Sequence, residues 1–179
     1  GRRALGAFGH RARHGDVVGV LPCGVPVGLD LAQLRQQLLR ARGLLQALHH
    51  IGIAVRSLAE ALPRWTDGLG LVLQSTDEVP TEKVKVAVLM AGSTRIELLE
   101  PTSPDSPIAQ FLDKRGPGIH HLAFQVGDCQ LKIDAMSAVG AQMLNKTPNP
   151  GAHGCKVAFV HPKYLGGVLA EFVEDPHHD

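Results

Sequence analysis

Two stretches of the chain put a histidine pair in front of an alternating apolar run: LHHIGIAV (48–55) and IHHLAFQV (119–126). Alternation with a period of two predicts strands, because successive side chains point to opposite faces. In the first stretch Ile51, Ile53 and Val55 share one face, and His50, Gly52 and Ala54 share the other. In the second, Leu122, Phe124 and Val126 oppose His121, Ala123 and Gln125. The bulky face is expected under a helix. The histidine-bearing face has small neighbours and is expected to be open. His49 and His120 are expected on the helix side or at the strand start.

The residues after each stretch are also alike. Ser57 precedes the helical run LAEALPRWTDGLG, and Asp128 precedes CQLKIDAMSAVG; both residues are good N-caps, and both runs end at glycine. Pro63 should shorten or kink the first helix. Three strand-like runs come next in each half. They are LGLVLQSTDEV, KVKVAVLMA and TRIELLEP in the first, and AQMLNKT, CKVAFVHP and GVLAEFVE in the second. The order strand, helix, strand, strand, strand thus occurs twice, which predicts two βαβββ modules at about 48–101 and 118–176. Between them, Ser106 before Pro107 predicts a short connecting helix.

Composition adds a boundary. Residues 1–47 hold seven arginines, no lysine, no serine and only two acids, Asp16 and Asp30, whereas the whole chain has a net charge of +1. This basic stretch reads as an extension outside the core, with helical spacing over 29–48 and some likeness to an organelle leader. The near-neutral net charge argues against nucleic acid as a partner. No apolar run is long enough to span a membrane as a helix. Three widely spaced cysteines, Cys23, Cys129 and Cys155, with no CxxC, suit free thiols.

Each half's last strand carries an acid among apolar residues: Glu97, 47 residues beyond His50, and Glu171, 50 beyond His121. A lone strand histidine is usually a core or rim residue, and a lone glutamate is usually solvated. The same pair in both halves is different. A curved sheet could bring His50, Glu97, His121 and Glu171 together, and two carboxylates buried without a partner are costly. A divalent cation removes that cost. Two imidazoles and two carboxylates without thiolate suit Co²⁺, Mn²⁺, Ni²⁺, Fe²⁺ or Zn²⁺ in an open site.

The segments LHHIGIAV, IELLEP, DSPIAQFL, GIHHLAFQV, GAHG, HPK and GGVLAEF mark a match over about 70% of the chain, from Leu48 to Glu174. This part resembles the vicinal oxygen chelate superfamily and, within it, the methylmalonyl-CoA epimerases. The resemblance implies an α+β fold whose paired modules form a cupped mixed sheet around a metal. It implies metal ligands at His50, Glu97, His121 and Glu171, with Co²⁺ often used and Gln found in some members at the position of Glu97. It further implies a CoA thioester substrate, a homodimer, and interconversion of (R)- and (S)-methylmalonyl-CoA through an enolate.

Inversion needs a base on each face of the substrate. Glu171 is the candidate for one. For the other the nearest acid is Glu82, at the edge of the strand EKVKVAVLMA, which also reads as a solvated strand end. GAHGCK (151–156) reads as a mobile loop or an ordinary turn, and Lys163 of HPK as a contact for a CoA phosphate or a solvated lysine. The rivals are a lactoylglutathione lyase of the same fold and a metal-free binding module of the drug-sequestering type. The implied chemistry places the chain in a bacterial cytoplasm or, alternatively, a mitochondrial matrix.

Overall fold

A computed structural model describes residues 45–177, together with the backbone of Gly19–Val20 and Pro26–Val27, which pair antiparallel. The basic extension and most of its expected helix otherwise lie outside the described residues. The last four residues of that helical run, 45–48, instead open a strand.

The domain is one eight-stranded sheet. Its strands are β1 (Leu45–Ala54), β2 (Val72–Val79), β3 (Val84–Ala91), β4 (Thr94–Pro101), β5 (Gly118–Val126), β6 (Asn149–Pro150), β7 (Lys156–Val160) and β8 (Leu169–Glu174). Their spatial order is β2-β3-β4-β1-β5-β8-β7-β6. The two halves are therefore mirrored in strand order about a seam, where β1 runs antiparallel to β5. Within each half the first strand pairs parallel with the last, β1 with β4 and β5 with β8. The remaining pairs are antiparallel, so the sheet is mixed.

The parity read from the sequence holds. Helix α1 (Leu58–Pro63) contributes Leu58, Ala61 and Leu62 to a cluster with Ile53, Val55, Leu89 and Leu98. Helix α3 (Cys129–Ala138) packs Cys129, Ile133 and Met136 against Phe124, Val126, Val160 and Phe172. Leu89 and Leu98 are fully buried, and each such side chain stabilises the fold by roughly 1.5–3 kcal/mol. Helix α2 (Pro107–Arg115) lies on the other face. Its Ile108 and Leu112 meet Ala54, Val84, Val86 and Leu99 and close one end of the cup.

Local chemistry explains the helix ends. Ser57, Ser106 and Asp128 accept backbone N–H groups of Glu60, Ile108 and Leu131. Pro63 is the last residue of α1, after which the chain widens into one π-helical turn, Arg64–Gly68. A second cap is duplicated between the halves. The Glu100 carboxylate accepts the Leu58 N–H, and Glu174 accepts the Cys129 N–H at 2.9 Å.

One expected strand fails. Over 141–147 the structure has only an isolated bridge, Met143 to Val160, and β6 is two residues long. The apolar content of the run suggested a strand, but Pro148 and Pro150 cannot donate to a ladder. The Asn145 side chain takes over part of that role. It accepts the Phe159 N–H at 2.8 Å and donates to the Val157 carbonyl at 3.3 Å.

Candidate metal centre

The seam is irregular at its histidines. Leu48 pairs with Phe124 and His50 with Ala123, which leaves His49 as an extra residue in β1. Gly52 pairs with His121 and Ile53 with Ile119, which leaves His120 as an extra residue in β5. An inserted residue bends a strand and re-aims its side chains. As a result all four imidazoles line one cavity of about 530 Å³. This corrects the expectation that His49 and His120 fall on the helix side or at the strand start.

Gly52 sits opposite His121 on the seam. A Cβ built there would lie 2.3 Å from His121 Cε1 and 2.6 Å from its Nε2. The room left by the small neighbours is thus not open space; the ring from the other half fills it.

Three of the four expected ligands converge closely. His50 Nε2 and His121 Nε2 are 2.9 Å apart. Glu171 Oε2 lies 3.0 Å from His121 Nε2 and 3.4 Å from His50 Nε2. These three residues are buried, and each presents a ligand atom within 4.8 Å of the others. Glu97 stands slightly apart, with its Oε2 3.6 Å from His50 Nε2. It faces the same point but lies outside the tight group.

The donor set fits a divalent cation. Ionised carboxylates only accept, and a neutral imidazole offers one lone pair, so the cluster has more lone pairs than protons. Burial opposes charge on His50, but the Glu171 hydrogen bond and the charges of Glu97 and Glu171 outweigh it and raise the pKa. Burial likewise favours neutral Glu171, but hydrogen bonds from His121 and His50 pull it down to about 2. An ionised Glu171 with positive charge beside it is the favoured state of this cluster.

Behind the facing rings stand their chain neighbours. His49 Nδ1 is 2.8 Å from His50 Nδ1, and His120 Nδ1 is 2.9 Å from His121 Nδ1. His49 Nε2 reaches Asp175 Oδ2 at 3.4 Å, whereas the His120 ring meets Phe111 edge to face with centroids 5.0 Å apart. Burial, then the neighbouring His121, pushes His120 down to about 4.

Sequence reasoning missed or undervalued several groups in and around the cavity wall. Glu82, also read as a solvated strand end, is exposed in the turn before β3 and lines the cavity. Its pKa is raised by burial and then by the Glu171 charge. Arg95 lines the wall two residues before Glu97 and makes no ion pair or hydrogen bond among the described residues. Asp175 lies just beyond β8, where no periodicity flags it. Cys155 also lines the cavity and is pushed up to about 11 by burial and the Asp175 charge.

The glycine loop is ordered as a 3₁₀ turn, Ala152–Gly154, with His153 in left-handed conformation at φ 53°. His153 Nε2 comes 3.9 Å from Asp77 on β2, so the two outer edges of the sheet approach across the mouth. Lys163 lies in a second 3₁₀ turn, Pro162–Leu165, outside the cavity lining.

Comparison with known proteins gives concordant matches. Residues 49–159 match the Glyoxalase/Bleomycin resistance protein/Dioxygenase superfamily. The uncharacterized protein YqjC of Bacillus subtilis is 40% identical, over 74% of this chain and 96% of its own length. The ethylmalonyl-CoA/methylmalonyl-CoA epimerase of Cereibacter sphaeroides is 38% identical, over 69% of this chain and 94% of its own. The crystal structure of methylmalonyl-CoA epimerase from Mycobacterium tuberculosis superposes with a TM-score of 0.69 at 36% identity, covering 73% of this chain and 89% of that one.

Proposed function

The chain belongs to the Glyoxalase/Bleomycin resistance protein/Dioxygenase superfamily, with methylmalonyl-CoA epimerases among its relatives, and on that premise we propose that it epimerises methylmalonyl-CoA at C2. The observation that carries this reading is the pairing of two carboxylates with different surroundings, Glu171 and Glu82, in one cavity that also holds the convergent imidazoles. Epimerisation requires a proton to leave one face of a carbon and return on the other, so two acid–base groups must share the cavity.

His50, Glu97, His121 and Glu171 are the residues that hold the cation in this reading, with Co²⁺ as its identity. A cation there would supply Lewis acidity, which would make the C2 proton easier to remove. The residues of the chain do the proton work. Glu171, kept ionised by its two histidines, is positioned to take the C2 proton. Glu82, whose raised pKa makes it the stronger base of the two, serves the opposite face. Each acts as acid in one direction and base in the other. Arg95, unpaired among the described residues, offers a cation to the acyl carboxylate. A cavity of about 530 Å³ is of a size for an acyl group and part of a pantetheine arm.

A homodimer belongs to the same reading. Leu48 and Ile119 are 47% and 61% exposed on the seam, and a second copy would cover them. Sedimentation that returned a monomer at working concentration would remove this part.

One experiment tests the activity. The protein is given (R)-methylmalonyl-CoA in D₂O, and deuterium at C2 is followed before and after chelation. The expected result is uptake with inversion, abolished by chelator and restored by Co²⁺. Turnover of the methylglyoxal–glutathione adduct without exchange would move the assignment to a lactoylglutathione lyase. Ligand binding with neither activity would move it to a binding module.

A further inference from the structure

The two cup-facing imidazoles have unlike backing. In both halves the paired rings meet Nδ1 to Nδ1, at 2.8 Å and 2.9 Å. Such a contact needs one proton: one ring donates and the other accepts. In the first half something directs that proton. His49 Nε2 faces Asp175 Oδ2 at 3.4 Å, and the two side chains are only 5% and 11% exposed. The other oxygen of Asp175 is held by the His177 N–H at 2.9 Å. An ionised carboxylate only accepts, so it calls for the His49 proton on Nε2. His49 Nδ1 then carries no proton and accepts from His50 Nδ1. His50 is left with its lone pair on Nε2, the atom aimed at His121, Glu97 and Glu171. In the second half the His120 ring meets an aromatic edge instead.

We infer that Asp175 and His49 form a positioning pair that sets the tautomer and ring angle of His50, and that this support acts on one side of the centre only. Hydrogen bonds to the distal nitrogen of a ligating imidazole commonly fix its orientation and basicity. Here the support is relayed through a second ring, which the extra residue in β1 brings onto the cup side. The inference rests on the cation site proposed above.

The test uses the full chain with Asp175→Asn, His49→Phe and the double variant. Calorimetry with Co²⁺ should show affinity falling about 10-fold or more for either single variant. The double variant should lose no more than the worse single one, because both changes break one relay. Long-range ¹⁵N spectra of the Zn²⁺-loaded protein should place the His49 proton on Nε2 and the His50 proton on Nδ1, and Asp175→Asn should mix those tautomers. Asp175→Glu should restore part of the affinity, and it serves as the second probe if Asp175→Asn folds poorly. Unchanged affinity with an unchanged tautomer pattern in Asp175→Asn would overturn the pair, as would losses that simply add. Neither readout involves substrate, so failure of C2 exchange leaves this result standing on its own. The same spectra without metal keep the pair testable: ordered tautomers in a chain that binds no Co²⁺ would sink the cation reading and support the relay.

Discussion

In the first half Glu97 Oε2 stands 3.6 Å from His50 Nε2 with a side chain 16% exposed. In the second half Glu171 is 9% exposed and touches both rings, at 3.0 Å and 3.4 Å. The supports differ in the opposite sense: the first half's imidazole is backed, through His49, by a carboxylate from just beyond β8, and the second half's, through His120, by an aromatic edge from α2. The edges differ too, an eight-residue β2 against a two-residue β6. The two halves thus carry the same residue types at equivalent positions, with different surroundings. In the function proposed above, the tight glutamate does chemistry and the looser one supplies charge.

The sharpest way to break this comparison is to neutralise each glutamate in turn. Glu171→Gln should lower C2 exchange by about 10³-fold, within the range for loss of a positioned acid–base group. Glu97→Gln should keep exchange within roughly 10-fold and weaken Co²⁺ binding by a similar factor. Equal losses in the two variants, measured by deuterium uptake and calorimetry, would mean that the division of labour is absent.

Next in size is Glu82→Gln, expected to cost about 10²-fold in inversion. Its pKa is raised by burial and by the Glu171 charge, so the protonated, non-basic form persists above the ordinary glutamate range. In the direction in which Glu82 is the base, inversion by the unaltered protein should therefore fall as pH drops toward that raised value, before ordinary carboxylates titrate. The variant should lose this acid limb. A limb that survives in Glu82→Gln assigns it to another group.

The smallest effects concern the duplicated caps. Glu100→Gln and Glu174→Gln each weaken a charged acceptor at a helix N-terminus, worth about 1 kcal/mol, or a few degrees in melting temperature. Glu174 also pairs with Lys156 at 2.6 Å, so its loss should be the larger of the two. Calorimetric melting of both variants checks the order.

Much of the fold is legible in the residue pattern alone. Period two placed Ile53, Val55, Phe124 and Val126 under helices and turned His50 and His121 the other way, because pleating leaves no choice once the apolar face is buried. The candidate ligand acids were legible for the same reason. The extra residues at His49 and His120 were not, since an inserted residue changes pairing between strands and leaves no trace in the periodicity of either. Asp175 escaped because it lies outside the strands, where position depends on sheet curvature rather than on local pattern, whereas Glu82 was named only as the nearest acid at a strand edge. The run 141–147 misled because its apolar residues outweighed the two prolines that come after it, whereas in the structure an amide side chain takes over part of the missing ladder.

Gly52 also ties the two halves together. Any side chain there would strike the ring of His121, in the opposite half of the sequence, close to the nitrogen aimed at the centre. The first module thus keeps a blank space in which the second module's imidazole stands. A side chain added at Gly52 would therefore do its damage in the other module, at an imidazole about seventy residues further along the chain.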